Sequence, residues 1–345
     1  MSGLGGHISH LHEDLSLTFD DLREVLTRAA EGDLECYEKF DGMNLFASGS
    51  GSGTRFARNK SDLLSGGMTV ADVRERFAGR GSVEVAFVEG ARALASSSID
   101  IRDWTSLEVI HECNPNVIKY DYNAIVLHQN VPLPKKCPPG WRILGPTRVT
   151  LTPVPVKTHR SALKKFGSLP GASLRDYVGG RLQADVRELG VAPAVASRIV
   201  DRCLGDPGAS LQTIRTMVDK STYLTISQFV QDSRIRIRQH LQPVEEAVYS
   251  IAAAALSGCT SALVNDSLLE QRRIRADFLY ETLQVGMLGT EAERARSRSF
   301  VDLKTLCLDV APIEGVVFDF CGKTYKMTGA FAHINQTMGA RKYSR

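Results

Sequence analysis

The chain lacks any run of about 20 apolar residues, so no segment has the length that a membrane-spanning helix needs. Its most apolar stretch, Ala247–Leu256, is too short and reads as a buried helix. Met1–Leu11 lacks the basic-then-apolar order of a secretory signal. The seven cysteines are Cys36, Cys113, Cys137, Cys203, Cys259, Cys307 and Cys321. They are odd in number, scattered, and form no C-x-x-C pair, which argues against a disulfide framework or a thiolate zinc site. Reduced thiols in a cytoplasmic protein fit better. There is no excess of one charge either. Lys and Arg number 42 against 39 Asp and Glu, a net charge of +3, so the chain is not a polycation. No internal repeat is present.

What is there is ordinary for a folded chain. The hydrophobic fraction is 43% and the charged fraction 23% over 345 residues, enough to bury a core and long enough for two domains. Positive charge is mildly concentrated in residues 151–300, with 20 Lys and Arg against 15 Asp and Glu. That bias is compatible with a nucleic-acid partner without demanding one.

Local signals give the organisation. Thr18 with Asp21 forms a capping box before the helical stripe Leu22, Val25 and Leu26, which Gly32 ends. Residues Leu34–Phe46 read as two strands around a Lys39-Phe40-Asp41-Gly42 turn, and Ser48–Thr54 as a flexible turn before another strand at Phe56–Ala57. Val70–Phe77 and Val83–Ala95 read as helices. Ser106–Ile110 and Ala124–Leu127 are β-branched, apolar and strand-like. Seven prolines in Pro132–Pro155 mark a linker or extended loop. Beyond it, Ser173 with Asp176 caps Leu174, Val178, Leu182 and Val186 at i+4 spacing, and Gly190 closes that helix. Further helices are expected at about 194–204, 210–219, 223–257 and 267–298, the last behind a Ser267–Glu270 box. Strands return at Val301–Leu308, Glu314–Phe320 and Thr324–Met327. The order predicts an α/β (α+β) chain: an α/β domain of residues 1–150 and 301–345, interrupted by a mainly helical insertion of residues 151–300.

Three short motifs carry chemistry-bearing residues. The first is Glu38-Lys39-Phe40-Asp41-Gly42-Met43-Asn44. Alone, its Asp-Gly is a hairpin dipeptide. The second is Leu107-Glu108-Val109-Ile110, continuing through His111-Glu112-Cys113-Asn114, where a carboxylate inside an apolar strand needs a partner or ligand. The third is Glu314-Gly315-Val316-Val317 followed by Lys323-Thr324-Tyr325-Lys326-Met327-Thr328. Each is weak alone. In this order they resemble the covalent nucleotidyltransferase superfamily of ATP-dependent DNA and RNA ligases and capping enzymes. That family carries K-x-D-G, a strand glutamate, E-G-[VF]-V and a lysine strand. Glu108, Asn114, Val117, Ile118 and Tyr120 echo the motif of phage RNA-repair ligases. The opening His7-Ile8-Ser9-His10-Leu11-His12-Glu13-Asp14 resembles phage-encoded ligase-like proteins. The resemblance spans about residues 7–127 and 301–335 and leaves the helical insert outside.

The resemblance implies a ligase-type domain of antiparallel sheets, an enzyme that uses ATP and Mg²⁺, and RNA or DNA ends as partner. Lys39 would be the nucleophile, presented by Asp41 and Gly42, with Lys326 a second cation on the phosphate. Glu38 would contact adenine and Glu108 the ribose hydroxyls. Glu314, beside Gly315, would hold the metal or its water. Asn44 joins the nucleotide-binding set. Arg55, Arg58 and Lys60 either grip phosphate or ribose or form a solvated basic face. An unprotonated amine is required, and burial with nearby cations would lower the ordinary lysine pKa.

Departures bear on catalysis. The family's lysine strand carries two lysines separated by one residue; here the second position is Thr328, and Lys323 has the wrong strand parity. Glu112 competes with Glu108, but spacing to Asn114 favours Glu108. The chain ends soon after Thr328, so the insert is expected to replace a C-terminal domain. These points support an alternative, a non-catalytic ligase-fold protein that binds nucleic acid or serves in a phage particle. His7, His10 and His12 with Glu13 and Asp14 fit no standard zinc spacing and read as packed or capping. The arginine clusters Arg234/Arg236/Arg238, Arg272/Arg273/Arg275 and Arg294/Arg296/Arg298 read equally as phosphate-tracking or solvated, since aromatics do not interleave them.

Overall fold

The fold is described from a computed structural model, which covers residues 8–114, 118, 120–129, 131–164, 166, 169, 171–257, 259 and 313–329. The expected helix at 267–298, the strand at 301–308, His7 and two of the arginine clusters lie outside these residues. The described chain is mixed α+β, as its alternating patterns predict. In order it runs β1 (Ser9–His10), α1 (Phe19–Glu31), β2 (Cys36–Lys39), β3 (Met43–Ser50), β4 (Arg55–Ala57), α2 (Lys60–Leu64), α3 (Val70–Phe77), α4 (Ser82–Ser96), β5 (Asp100–Ile110) and β6 (Asn123–Leu127). Then come β7 (Trp141–Leu144), β8 (Arg148–Val149), α5 (Val156–Lys164), α6 (Leu174–Arg187), α7 (Pro193–Cys203), α8 (Leu211–Arg215), α9 (Lys220–Leu256), β9 (Gly315–Phe320) and β10 (Lys323–Thr328). No helix among the described residues is long and apolar enough to cross a membrane.

The strands form two five-stranded sheets, ordered β1-β10-β9-β2-β8 and β4-β3-β5-β6-β7. The expectation of purely antiparallel sheets needs one correction, because β6 and β7 run parallel. A second correction concerns the proline-rich segment 132–155. It contains both β7 and β8, which lie at the outer edge of one sheet each. Edge positions tolerate the flanking prolines because a missing N–H there breaks no ladder.

In the second sheet, alternation sorts side chains by face. Met43, Leu45, Ala47, Leu107, Val109, Ile125 and Leu127 join the apolar core with Val73 and Phe77 of α3 and Phe87, Ala91 and Leu94 of α4. The other parity of β3 and β5, including Asn44, Ser106 and Glu108, faces away from that core. Burying this set of aliphatic and aromatic side chains, at about 1.5–3 kcal/mol for each large one, fixes the register. A one-residue slip would turn the apolar set outward.

The chain divides into two compact units. One is Ala29–Val154 with the segments before His10 and after Ile251; the other is His10–Arg28 with Pro155–Ile251. The helical unit takes in residues from the N-terminus, which the expected 151–300 did not include. The cause is long-range packing: Phe19 sits 5.7 Å from Phe166 and 5.4 Å from Tyr177. The Leu174 N–H also donates to Leu17 O at 2.8 Å. Both expected caps form here, with Asp21 N–H donating to Thr18 Oγ1 at 3.1 Å and Asp176 N–H to Ser173 Oγ at 3.0 Å. Each such cap stabilises its helix by about 1 kcal/mol. Arg234 and Arg238 are exposed on α9, while Arg236 turns inward over Phe229 and pairs with Asp185 at 3.8 Å. That breaks the triplet as a continuous phosphate-tracking stripe. His10 and His12 stack at 5.3 Å beside Tyr249, in keeping with a packed role.

Candidate active site

The segment Phe40-Asp41-Gly42 is not a hairpin. β2 pairs with β8 and β9, whereas β3 pairs with β4 and β5, so the segment carries the chain from the first sheet to the second. Its geometry is enforced by two buried hydrogen bonds. Asp41 Oδ2 accepts from the Ile118 N–H at 2.7 Å, and the Asp41 N–H donates to Tyr120 Oη at 3.0 Å. Phe40 packs near Tyr120, with ring centroids 6.2 Å apart. Asp41 is thereby a tether for the crossover. Gly42 follows because a Cβ there would lie 2.9 Å from Glu108 Cβ and 3.0 Å from Val109 O. Its missing side chain lets the crossover lie on β5.

Register places the remaining residues. Lys39 pairs with Gly315 on β9, and Gly315 pairs with Thr328 on β10; Tyr37, Val317 and Lys326 form the adjacent row. Lys39, Lys326 and Thr328 therefore share one face of the first sheet. Lys323 has the opposite parity, as expected. Thr328 stands directly across from Lys39, two strands or about 10 Å away. Gly315 is required in this row: a Cβ there would come within 2.3 Å of Met327 O.

The Lys39 Nζ donates to Glu314 Oε2 at 2.5 Å, bridging 275 residues of sequence. The Lys39 side chain is largely covered, 14% exposed, and that of Glu314 is 9% exposed. Burial alone would lower the Lys39 pKa, but the carboxylates of Glu314, Glu108 and Asp41 outweigh it and raise the ammonium above its ordinary value. This corrects the expectation of a lowered lysine: the carboxylates around Lys39 outnumber the cations. Glu314 is raised too, first by burial and then by Glu108, against the pull of Lys39 and Lys326. Both directions have the same origin, an excess of acidic groups in a desolvated site.

Glu108 lies on the second sheet opposite Asn44. It is 7% exposed, its Oε1 lies 3.7 Å from His128 Nε2, and among the described residues its buried Oε2 meets no hydrogen-bond donor. A buried carboxylate oxygen left this way calls for a ligand. Asn44 donates from Nδ2 to Ser106 Oγ at 3.0 Å on the same face. Arg58 joins them: its NH1 donates to Asn44 O, and Glu108 is the charge that counters the lowering of its pKa by burial. Glu112 is exposed, its N–H donating to Asn123 Oδ1, so Glu108 and not Glu112 reaches Lys39.

Three predicted site residues stand apart. Glu38 has the parity of Cys36 and is 2% exposed, on the face of the first sheet opposite Lys39. Alternation along β2 makes that unavoidable once Lys39 faces Glu314. Arg55 pairs with Ser48, four positions along β3 from Asn44 or about 13 Å, and its charge acts on Asp72. Lys60 opens α2 and is exposed.

Asp62 and its partner Arg76 escaped sequence reasoning. Asp62 is 8% exposed; its Oδ2 accepts from the Arg58 N–H at 2.8 Å and its Oδ1 from Arg76 NH1 at 2.7 Å. It fixes the backbone from which Arg58 reaches Asn44 and Glu108. No motif announces it; only the Asn59–Asp62 helix cap is a local signal. Asp62→Ala is expected to cost about 2–3 kcal/mol, since two bonds to a charged acceptor go and the Arg58 N–H is left unsatisfied. Urea denaturation monitored by circular dichroism checks this.

Among the described residues no group of three or more His, Cys, Asp or Glu is arranged to hold a metal ion. A triphosphate-bound Mg²⁺ does not need one, because it takes one or two carboxylates plus phosphate oxygens and water. Glu314 is a hard oxygen donor that suits it. No protein-family model, no curated protein and no solved structure matches this chain.

Proposed function

We propose that this chain is an ATP-dependent, ligase-type nucleotidyltransferase in which Lys39 carries AMP and delivers it to an RNA or DNA end, in the cytoplasm (the host's, if the chain is phage-encoded). What supports this reading is the convergence of Lys39, Glu314 and Glu108, drawn from two sheets, with Lys326 on the Lys39 face. A solvated hairpin lysine has no reason to sit buried among three carboxylates. A lysine that must meet a metal-bound nucleotide does.

The step is an in-line displacement. The Lys39 Nζ loses a proton to water and attacks the α-phosphorus of ATP. A P–N bond forms, the bond from that phosphorus to the bridging oxygen breaks, and pyrophosphate leaves with the electron pair. When held by Glu314, Mg²⁺ would neutralise the carboxylate that now keeps the lysine protonated and share the phosphate charge. Lys326 stabilises charge on the phosphate oxygens and Arg58 that on the sugar-phosphate side. Glu108 accepts hydrogen bonds from the ribose hydroxyls through its free oxygen.

Incubating the protein with α-labelled ATP and Mg²⁺ is expected to leave a covalent label that survives denaturing gel electrophoresis. Running GTP in parallel tests the choice of nucleotide. A second reading, a non-catalytic ligase-fold protein that binds nucleic acid or serves in a phage particle, is favoured by one observation: Thr328 occupies the Lys39 face where the family places a lysine. It predicts no label with either nucleotide and nucleic-acid binding that persists in Lys39→Ala.

A further inference from the structure

A second constellation lies at the end of β5 and uses none of these residues. His111 is 7% exposed. The Cys113 backbone N–H donates to His111 Nδ1 at 3.2 Å. A backbone amide can only donate, so Nδ1 carries no proton and the neutral ring has its hydrogen on Nε2. That Nε2 lies 3.1 Å from Glu89 Oε2 on α4 and donates to it. The Trp141 ring stands edge-on to the imidazole at 5.6 Å and holds its plane. Cys113 Sγ lies 3.0 Å from the same Nδ1, within hydrogen-bond reach of the lone pair that also accepts the Cys113 amide. The thiol is exposed. Nucleophile, base and orienting carboxylate therefore stand in line, the arrangement that activates a weak nucleophile by proton removal.

We propose that Cys113 is a base-assisted thiol nucleophile that exchanges with small, positively charged disulfides. As Cys113 Sγ attacks one sulfur of the disulfide, its proton passes to His111 Nδ1. The new S–S bond forms while the old one breaks, and the departing thiolate takes the proton back from His111 to leave as a thiol. No oxidant is consumed beyond the disulfide itself. The imidazolium formed on the way lies between the thiolate and the Glu89 carboxylate. Burial, with Glu89 and Glu112, holds the resting thiol above its ordinary pKa, so it is protonated at rest and depends on the base. The same two carboxylates select for cationic reagents and repel anionic ones, an effect that salt weakens. Asn114, the next residue, spends its Nδ2 on Met43 Sδ and its Oδ1 on the Ser82 hydroxyl.

The test is internal to one molecule. Cys113, Cys137 and Cys321 are all exposed, whereas Cys36 and Cys259 are buried. The full-length protein is treated with cystamine at neutral pH and low salt, and mixed disulfides are followed by peptide mass spectrometry. Cys113 is expected to react at least about 10-fold faster than Cys321, a small part of the about 10²–10⁴-fold that general-base assistance supplies. Glu89→Gln and His111→Gln should each shrink that ratio, the latter to parity, and the anionic reagent dithionitrobenzoate should show no Cys113 preference. Continued protection of Cys36 and Cys259 shows that a variant has kept its core. If His111→Gln exposes them, the half-exposed Glu89→Gln decides alone. Equal rates at Cys113 and Cys321 in the unmodified chain, or a ratio untouched by Glu89→Gln, overturns the proposal.

Discussion

Lys39→Ala should abolish nucleotide labelling and, in chelator-containing buffer at neutral pH, destabilise the fold by about 3 kcal/mol. Removing one member of a buried ion pair costs about 3–5 kcal/mol when the survivor stays charged. Here Glu314 has an exit: it can bind a proton, which at pH 7 costs about 3 kcal/mol relative to its ordinary value of 4.5 and so caps the loss. The sign follows from the direction of each shift. Lys39 is raised, so what it contributes is fully present below its ordinary value of 10.5, including at neutral pH. Glu314 is also raised, and further without Lys39. Its contribution is intact below pH 4.5 and is lost as pH climbs through the folded value. The stability gap between Lys39→Ala and the unmodified protein should therefore open as pH rises above 4.5 and close in acid. Adding Glu314→Gln to Lys39→Ala should recover much of the loss, because a neutral amide replaces the stranded carboxylate. Urea melts of the three proteins at several pH values measure this. A gap that is flat with pH, or a double variant no better than Lys39→Ala, would contradict the buried pair.

Gly315→Ala is expected to be comparably severe for a purely steric reason. The added methyl would lie 2.3 Å from Met327 O and 2.8 Å from Thr328 Cα. These are backbone atoms, so no side chain can rotate away and β10 itself must shift. Overpacking of this kind costs about 1–3 kcal/mol, and backbone displacement puts this case at the upper end. The functional effect goes further than the stability effect. β10 carries Thr328 in the row of Lys39 and Lys326 in the adjacent row, so in the proposed reaction a displaced β10 would take Lys326 off the phosphate. Even at temperatures where the variant is folded, label formation should fall at least about 100-fold, the scale on which about 1 Å of misplacement acts. A variant with an unchanged melting temperature would show that β9 and β10 are not packed this closely.

Sequence made some of this legible and hid the rest for identifiable reasons. The caps at Thr18 and Ser173 could be read because donor and acceptor lie three residues apart. The wrong parity of Lys323 could be read because strand alternation has period 2. Glu108 and Glu314 were readable as carboxylates embedded in apolar β runs. The crossover at Phe40–Gly42 was hidden, because Asp-Gly looks the same whether the flanking strands pair with each other or with others. The face taken by Glu38 follows only once Lys39 is known to meet Glu314. The raised pKa of Lys39 depends on how many carboxylates converge from residues 41, 108 and 314, which no window of sequence contains. Asp62 and Arg76 belong to no motif, and their role comes from a contact 14 residues apart.

The most direct test of the account is to locate the label. Protein treated with α-labelled ATP and Mg²⁺ should be digested under mildly alkaline conditions, which preserve a phosphoramidate, and mapped by mass spectrometry. The account predicts one AMP adduct on Lys39, removed by acid and absent from Lys39→Ala. An adduct on another residue, or a Lys39→Ala protein that labels as well as the unmodified chain, would contradict it.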